Sequence, residues 1–597
     1  MHRFFIAFSL LSFSLLAGAQ TSPNGKIRVV PSDMDLTVEY KSDKDWQTVM
    51  SISTHATQAR LEDSDVFPVD YNMVVGKKSH CTNAFREEAY TTADLKEAVF
   101  VRVYNDGVAF KADNPNKVKV YVPCKNNWLQ KWTDPYEEFF PMNRETEQGE
   151  RFAYPALFEY DKNVFALLSE SYLMRDNAAT SMYRTSIKNQ FELRPDGAEK
   201  GGWQTFIIGS LSDVVESTLI TDNSGDNALG DVSWVKPGVA SWIYWAYNHG
   251  SNDFSIIKKY VDMAVELNLP YVLIDAEWDE MDKIAANEGK TIEDAVKYAN
   301  DKGVKPIIWY NSSVGWVNGA PGPKFRLNKP EDREKEFAWC EKIGVKGVKI
   351  DFMDRQDQWM VNFYERVAKE AAKHHIMVDF HGAYHPSGMK YKYPNVLTFE
   401  GVRGLEMNGS CTPENTVYLP FIRNSVGPMD FTPGAMIAYQ PKAHKGGRPI
   451  CTVVGTKCYS LAHFVLFETN LQMLADNPTL YYRNDECTRF ITSVPTTWDS
   501  SVVLSAEAGK YLVEAKRKGN QWFLGGMMGP DPREGRDITV RFDFLTDEAP
   551  HTLTLFEDGI NAFQQAMDYR RREVTVRKGD TLTLHMAPNG GFAARID

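Results

Sequence analysis

The sequence has no excess of basic residues and, beyond its first residues, no long hydrophobic run. Its 67 Lys and Arg are outnumbered by 79 Asp and Glu, which gives a formal net charge of −12. A nucleic-acid partner is therefore not expected, because phosphate binding needs clustered cations. No later run approaches the roughly 20 apolar residues that cross a bilayer, so stable membrane insertion is not expected either.

Metal-binding and nucleophile motifs are also missing. The seven cysteines are an odd, scattered set and include no zinc-type CxxC pair. Cys451 and Cys458 are close enough in sequence to pair. We nevertheless expect mostly free, buried thiols, because a chain of 597 residues does not need disulfides to stabilise it. The predicted strand ends contain no Ser-His-Asp order and no phosphate-binding glycine loop.

The N-terminus has the composition of a secretory signal peptide. A short basic start is followed by an apolar run from Phe4 to Leu16, and Ala17-Gly18-Ala19 supplies the small residues of a cleavage site. We therefore predict a signal peptide over residues 1–19, cleavage before Gln20, and a periplasmic or secreted mature protein.

The length predicts two to four domains, and the hydrophobic pattern changes twice along the chain. Residues 20–237 contain short alternating runs, including "AVFVRVYNDGVAFKA" with an Asp-Gly hairpin signal. Residues 490–597 return to this pattern in "DITVRFDFL" and "HTLTLFEDG". We predict a sandwich of two large sheets for the first region and a small antiparallel sandwich for the second.

Residues 238–489 alternate strands and amphipathic helices. Runs such as "YVLIDAEW" and "KPIIWYNS" are short and bulky, and each is followed by a segment with the helical period. Alternation over this length is typical of a parallel (β/α)8 barrel. Six or seven strand–helix units can be recognised, and the last one or two, after Pro428, are not clearly defined by the sequence.

In such a barrel the catalytic groups lie at the C-terminal ends of the strands. Acids and aromatics dominate these positions, which are Trp245, Asp275, Glu277, Trp278, Trp309, Asn311, Lys349, Asp351, Asp354, Asp379, His381, Glu400 and Glu406. Glycoside hydrolysis needs two carboxyl groups, one to protonate the leaving oxygen and one to attack or to activate water. The strand ends therefore favour a glycosidase.

The stretch "GVKGVKIDFMD" ends a strand with carboxylates. Because alternate residues share a face, Lys349 and Asp351 are predicted to point together into the barrel mouth. Lys349 would then lower the pKa of Asp351, as a nucleophile requires. The alternative is a barrel ion pair without chemistry. Asp354 and Asp357 are predicted to complement the dipole of the helix that follows.

Two glutamates lie six residues apart in "TFEGVRGLE", at the end of a later strand. Gly401 and Gly404 let the backbone turn, so Glu400 and Glu406 can converge on a hard cation such as calcium. The alternative is two exposed loop glutamates without a ligand.

Six motifs in order resemble glycoside hydrolase family 97 over essentially the whole mature chain: "SWIYWAYN", "YVLIDAEWD", "GVKGVKIDFMDRQDQ", "VDFHGAYHPSG", "LTFEGVRGLE" and "GPMDFTPGAM". The resemblance implies a β-super-sandwich over 20–237, a catalytic (β/α)8 barrel over 238–489 and a C-terminal β-sandwich over 490–597. It also implies a calcium-dependent, exo-acting α-glycosidase of a bacterial polysaccharide-degrading system.

The family contains inverting α-glucosidases with a glutamate base and retaining members similar to α-galactosidases, which carry an aspartate on the fourth strand. This sequence has "DFHGAYH" where the inverting group would place its base, and it has Asp351 at the nucleophile position. The resemblance therefore implies a retaining α-galactosidase with Asp351 as nucleophile and Glu406 as acid/base. It implies calcium bound by Glu170, Glu400 and Glu406.

The remaining predicted substrate-binding residues are Lys349, His381, Asp275, Arg403 and Trp309. For His381 the alternative is a structural hydrogen bond at the barrel rim, and for Trp309 it is packing in place of stacking on a sugar. The expected partner is an oligosaccharide or glycoside, bound by a monomer or homodimer. An α-glucosidase, a β-L-arabinopyranosidase and a non-catalytic periplasmic glycan-binding protein stay open as alternatives.

Overall fold

The computed structural model describes residues 19–42, 45–59, 64–115, 118–161, 163–531 and 535–597. The predicted signal peptide therefore lies outside the described residues, except for Ala19. No helix within these ranges is long and apolar enough to cross a membrane. All seven cysteines are described and none forms a disulfide, which confirms the expectation of free thiols.

The N-terminal region forms one large antiparallel sheet that encloses its own core. Alternating residues such as Val29, Val101, Leu168 and Phe206 are fully buried in this core, which confirms the predicted sandwich. The described strands are Gln20–Thr21, Ile27–Pro31, Asp35–Ser42, Asp45–Ser53, Gln58–Ala59, Phe67–Asn72, His80–Thr91, Ala98–Tyr104, Gly107–Ala112, Lys119–Tyr121, Asn126–Lys131, Arg151–Glu159, Phe165–Ser171, Thr180–Arg184, Gln190–Pro195 and Trp203–Gly209. Two short helices, Leu211–Glu216 and Leu219–Asp222, follow the sheet.

Parallel strands form the central barrel, within a segment that is described without gaps. The regular strands are, in order, Gly238–Ile243, Tyr271–Ile274, Lys305–Asn311, Gly347–Asp351, Met377–Phe380, Val396–Phe399 and Leu471–Leu474, and the last of them pairs with the first. The α-helices of this region are Phe254–Glu266, Ile292–Asp301, Pro330–Ile343, Gln358–Lys373, Met389–Lys392, Pro413–Thr416, Lys457–Leu466, Pro478–Arg483 and Asp485–Ser493. A small parallel pair, Ile437–Tyr439 and Thr452–Val454, lies outside the barrel sheet.

The strand position between Val396–Phe399 and Leu471–Leu474 is occupied by irregular backbone. Met429 and Asp430 donate backbone N–H groups to carbonyls on either side, at 3.0 and 2.8 Å. Pro428 and Pro433 flank this stretch, and proline cannot donate to a strand ladder. The buried Arg423 closes the seam by donating to five backbone carbonyls. The barrel is thus confirmed, and the prolines explain why its last strand–helix units are not clearly defined by the sequence.

The C-terminal region is an antiparallel sandwich with a separate core. Its larger sheet contains Ser500–Glu507, Tyr511–Lys518, Gln521–Met528, His551–Asp558, Tyr569–Val576 and Gly591–Ile596, and its smaller sheet pairs Arg536–Arg541 with Thr581–Met586. Gly525 allows the barrel helix Lys457–Leu466 to approach closely, because a Cβ there would lie 2.9 Å from the Leu466 side chain. This contact joins the C-terminal sandwich to the barrel.

Candidate active site

A cavity of about 920 Å³ opens at the C-terminal ends of the barrel strands. This volume is in the range of small-molecule sites. We call its more buried part the inner half, lined by Asp275, Trp309, Lys349, Asp351 and Glu406. We call its more exposed part the mouth, lined by Glu277, Asp279, Glu280, Trp316 and Phe325.

Asp351 ends the fourth strand and lies in the inner half. Its Oδ2 accepts a hydrogen bond from Trp309 Nε1 at 3.1 Å, and its Oδ1 accepts one from Phe352 N at 2.7 Å. The side chain keeps 15% of its surface exposed, so a small molecule can reach it. The structure thus places Trp309 in the cavity wall as a hydrogen-bond donor to Asp351.

Lys349 shares the inward face with Asp351, but its ion pair is with Asp275. Lys349 Nζ lies 3.2 Å from Asp275 Oδ2, and the two side chains are only 2% and 3% exposed. Trp242 lies under the ammonium at 4.9 Å and donates its Nε1–H to the same carboxylate at 2.8 Å. The expected pairing of Lys349 with Asp351 is corrected, because a carboxylate from the second strand lies nearer.

The pKa of Asp351 reflects several opposing effects. Burial raises it, the charges of His381 and Lys349 lower it, and the charge of Glu400 adds to the increase. Lys349 therefore acts in the predicted direction, but burial outweighs it and the net shift is upward.

His381 bridges two carboxylates behind the cavity wall. Its Nδ1 lies 2.9 Å from Glu400 Oε2 and its Nε2 lies 2.8 Å from Asp430 Oδ2. Burial lowers the pKa of His381, but these carboxylates raise it well above its usual value. Both nitrogens already contact carboxylates, which favours the alternative of a structural hydrogen bond for His381. Asp430 was missed as a site residue, although it lies in the quoted motif "GPMDFTPGAM".

Glu406 lines the cavity together with Arg448, which the sequence did not single out. Burial and the charge of Glu400 raise the pKa of Glu406 to about 7, against opposing effects from Lys349, His381 and Arg448. Arg448 lies 4.7 Å from the ring of Tyr244, another cavity residue. A carboxyl group with this pKa is partly protonated near neutral pH and is able to act as a general acid.

Arg403 does not line the cavity. Its Nε donates to the Glu137 carbonyl at 3.0 Å, and Nη1 donates to Ser410 Oγ at 3.0 Å. The substrate-binding role of Arg403 therefore stays a prediction. Its side chain fixes the backbone at Glu137.

Glu170 is fully buried, and its Oε2 lies 3.8 Å from Nε2 of His385 in the barrel region. Its carboxylate accepts hydrogen bonds from Thr180 N at 2.9 Å, Thr180 Oγ1 at 2.6 Å, Gly202 N at 2.8 Å and Gln204 Nε2 at 3.2 Å. These donors all belong to its own domain and satisfy both oxygens. The structure therefore does not support the calcium role that the resemblance implied for Glu170.

Glu137 is the N-terminal carboxylate that comes close to the two barrel glutamates. Burial raises its pKa to about 10, and the charges of Glu400 and Glu406 are the next causes. Its loop is tied to the barrel, since Phe140 N donates to Asn415 Oδ1 at 3.0 Å and Trp132 Nε1 donates to Gln356 Oε1 at 3.1 Å. In the sequence, the adjacent acidic pair Glu137-Glu138 in "DPYEEFF" is the local feature that could have indicated this carboxylate.

Metal-binding chemistry at this site depends on which groups offer lone pairs. Asp351–His381–Glu400 and Asp379–His381–Asp430 each bring ligand atoms within 4.8 Å of one another. Both sets rely on His381, whose two ring nitrogens already contact the carboxylates of Glu400 and Asp430. The charges of Glu400 and Glu406 both raise the pKa of Glu137, and carboxylate oxygens of this kind are ligands that suit calcium.

The two aspartates that follow Asp351 have different structural roles. Asp357 caps the helix Gln358–Lys373, since its Oδ1 accepts from Met360 N at 2.9 Å, as expected for a helix N-terminus. Asp354 instead accepts from Trp316 N at 3.0 Å and holds a neighbouring loop. The prediction is confirmed for Asp357 and corrected for Asp354.

Comparison with known proteins gives matches over all three regions. Residues 20–224 match the family description "Glycosyl-hydrolase 97 N-terminal", residues 238–402 match "Glycoside hydrolase 97", and residues 497–597 match "Glycosyl-hydrolase 97 C-terminal, oligomerisation". A family 97 enzyme from Pseudoalteromonas sp. strain K8, solved with acarbose, superposes with a TM-score of 0.82 at 24% identity over 97% of this chain and 100% of that one. A β-arabinopyranosidase structure gives a TM-score of 0.83 at 22% identity over the same shares, and both show the fold alone.

Two curated relatives are similar in sequence. A "Retaining alpha-galactosidase" of Bacteroides thetaiotaomicron is 38% identical over 414 residues, which cover 66% of this chain and 59% of that protein. A "Probable retaining alpha-galactosidase" of Streptomyces bingchenggensis is 31% identical over 521 residues, which cover 83% of this chain and 76% of that protein. With matches to all three domains in order and these relatives, the chain belongs to glycoside hydrolase family 97.

Proposed function

We propose that the protein is a calcium-dependent, exo-acting retaining α-galactosidase that hydrolyses terminal α-galactosyl residues. The observation that carries this proposal is the pair of carboxyl groups in one cavity, Asp351 at a strand end and Glu406 with a pKa of about 7. The buried side chains of Asp275, Trp309 and Lys349 line the inner half, which suits a terminal sugar. Both curated relatives bear the name of a retaining α-galactosidase.

In the first step, Asp351 attacks the anomeric carbon while Glu406 protonates the leaving oxygen. A β-linked glycosyl-enzyme forms on Asp351, and the leaving sugar departs with the proton of Glu406. In the second step, Glu406 takes a proton from water, which attacks the same carbon and releases the sugar with its α configuration retained. This route needs carboxyl groups about 5–5.5 Å apart, against about 6.5–9.5 Å for inversion.

Several groups prepare Asp351 for attack. The charges of His381 and Lys349 favour its ionised form against burial, and the hydrogen bond from Trp309 orients Oδ2. Glu406 is held protonated to a higher pH than an ordinary glutamate, as an acid catalyst at neutral pH requires.

Glu137, Glu400 and Glu406 would hold the calcium ion. When bound, the ion supplies a fixed positive charge that neutralises the repulsion among these carboxylates. Their positions come from three places: an N-terminal loop, the end of the sixth barrel strand and the loop after it.

The sugar is tested by measuring release of nitrophenol from nitrophenyl α-galactoside, α-glucoside and β-L-arabinopyranoside, with and without a chelator. We expect the α-galactoside to be the best substrate and the chelator to abolish activity until calcium is restored. A preference for glucose or arabinopyranose would replace the proposed sugar, and no hydrolysis of any substrate would favour a glycan-binding protein.

We also propose that the protein is exported after cleavage before Gln20, on the strength of the sequence of residues 1–19. N-terminal sequencing of the protein from its native cell envelope checks this cleavage site. The expected assembly is a monomer or homodimer, which light scattering distinguishes.

A further inference from the structure

Two large aromatic side chains are exposed at the mouth of the cavity. Trp316 is 48% exposed and Phe325 is 59% exposed, and both line the cavity wall. Aromatic side chains of this size normally bury most of their surface. Their exposure beside the candidate catalytic groups indicates that they contact a ligand with an apolar face.

The loop that carries both rings, residues 312–325, is held in place. The fully buried Asn311 donates from Nδ2 to the Trp316 carbonyl at 3.2 Å and to the Pro321 carbonyl at 3.3 Å. Asp354 accepts from Trp316 N at 3.0 Å, and the indole N–H donates to the Asn318 carbonyl at 2.8 Å. Because the indole is already ordered, a ligand that stacks on it pays little additional conformational entropy.

A chain of aromatic rings connects this loop with the reaction centre. Trp309, which donates to Asp351, lies 5.8 Å from the ring of Phe352 at an angle of 76°. Phe352 in turn lies 4.9 Å from the ring of Trp316 at 75°. Trp316 is therefore separated from Trp309 by one ring, that of Phe352, and lies where we expect the sugar on the other side of the cleaved bond.

Carboxylates complete the mouth. Glu277, Asp279 and Glu280 line it, and Glu277 N donates to the Gly322 carbonyl of the loop at 2.8 Å. Carboxylates accept hydrogen bonds from sugar hydroxyls but repel anions. The cavity cation on this loop is Lys324, while Glu280 is paired with Lys283 at 3.0 Å.

We propose that Trp316, assisted by Phe325 and the mouth carboxylates, forms a binding site for the departing sugar. The preferred substrates are then oligosaccharides whose leaving group is an uncharged pyranose that stacks on Trp316. This inference rests on the proposed glycosidase function and adds the identity of the leaving group to it.

The test compares two leaving groups for the same glycosyl unit. Values of kcat/KM are measured for wild type, Trp316→Ala and Trp316→Phe with galactosyl-α-1,6-glucose and with α-galactosyl fluoride, whose leaving fluoride has no ring to stack. We expect Trp316→Ala to lose about tenfold on the disaccharide and nothing on the fluoride, with most of the loss restored by Trp316→Phe. Trp359→Ala is the matched control, because Trp359 is 43% exposed on the helix Gln358–Lys373, outside the cavity lining.

The outcomes separate this inference from the proposed sugar. Maltose and α-glucosyl fluoride are run in parallel, so a preference for glucose changes the proposed function but leaves the leaving-group comparison intact. Equal losses on disaccharide and fluoride, no loss on either, or a wild type that cleaves only the fluorides would each overturn the inference.

Discussion

The inner half and the mouth of the cavity are built by different physical means. In the inner half, Lys349 and Asp275 are almost wholly buried and paired, and Asp351 is held by a hydrogen bond. In the mouth, Trp316 and Phe325 expose about half of their surface. Charges in the inner half act at low dielectric and change the pKa values of their neighbours. The mouth instead provides exposed aromatic rings, and carboxylates that can accept hydrogen bonds from sugar hydroxyls.

The difference indicates a division of labour. Changes in the inner half should alter the chemical step for every substrate, while changes in the mouth should alter only substrates with a sugar as leaving group.

Replacement of the proposed nucleophile should have the largest effect. We expect Asp351→Gly to lower kcat by about 10⁴-fold or more for all leaving groups, because the covalent step is lost. Added azide should restore turnover of an activated galactoside and yield β-galactosyl azide, since the small anion fits the space left by the carboxylate. Absence of rescue in a folded variant would remove Asp351 from the nucleophile role.

Replacement of the proposed acid/base should depend on the leaving group. We expect Glu406→Gln to lower activity on a disaccharide by about 10²–10⁴-fold, because its leaving oxygen needs a proton. α-Galactosyl fluoride should instead give a burst of fluoride followed by slow turnover, because fluoride leaves without help and only the second step then needs a base. Stopped-flow measurement at saturating calcium checks this. A uniform loss without a burst would speak against the role.

The N-terminal glutamates Glu137 and Glu170 should respond differently to the same change. Glu137→Gln replaces a carboxyl group beside Glu400 and Glu406 with an amide that cannot ionise to bind calcium, so we expect calcium affinity by titration calorimetry to fall by about tenfold or more. Glu170→Gln places an amide donor against the donors Thr180 N or Gly202 N. It should therefore leave calcium affinity unchanged but cost about 1–3 kcal/mol of unfolding free energy. The reverse pattern would restore the calcium role first expected of Glu170.

The smallest effect is expected outside the cavity, in the same stretch of sequence as Asp351. Asp357→Ala removes the hydrogen bond to Met360 N, so urea unfolding should show a loss of about 1 kcal/mol, typical of a helix cap. Activity per folded molecule should stay the same. A marked fall in kcat would contradict this, because it would mean that Asp357 affects the chemistry in the cavity as well as the stability of the helix.

The sequence predicted what depends on local periodicity. The three regions, the fourth strand and the shared face of Lys349 and Asp351 all follow from alternation and helical spacing, and the structure has them. The partner of Lys349 could not be predicted in this way, because Asp275 lies 74 positions away and becomes a neighbour only when the strands pair.

Contacts between residues far apart in the sequence also decide the roles of Glu137, Glu170 and Arg448. Glu137 and Glu170 are both acidic residues of the N-terminal region, and only the fold shows which one is satisfied by its own domain. Arg448 lies in a loop without regular structure, so no period indicated that it would line the cavity. The irregular stretch between Pro428 and Pro433 could not be recognised as a strand for a local reason, since its prolines prevent a regular ladder.

The most direct test of the central claim is the configuration of the sugar at the moment of its release. Proton NMR of wild-type enzyme with an α-galactoside, recorded within the first minutes, should show α-galactose first and β-galactose only later by mutarotation. That order is required by double displacement through Asp351. Initial appearance of β-galactose would contradict the account, because it would mean a single displacement by water.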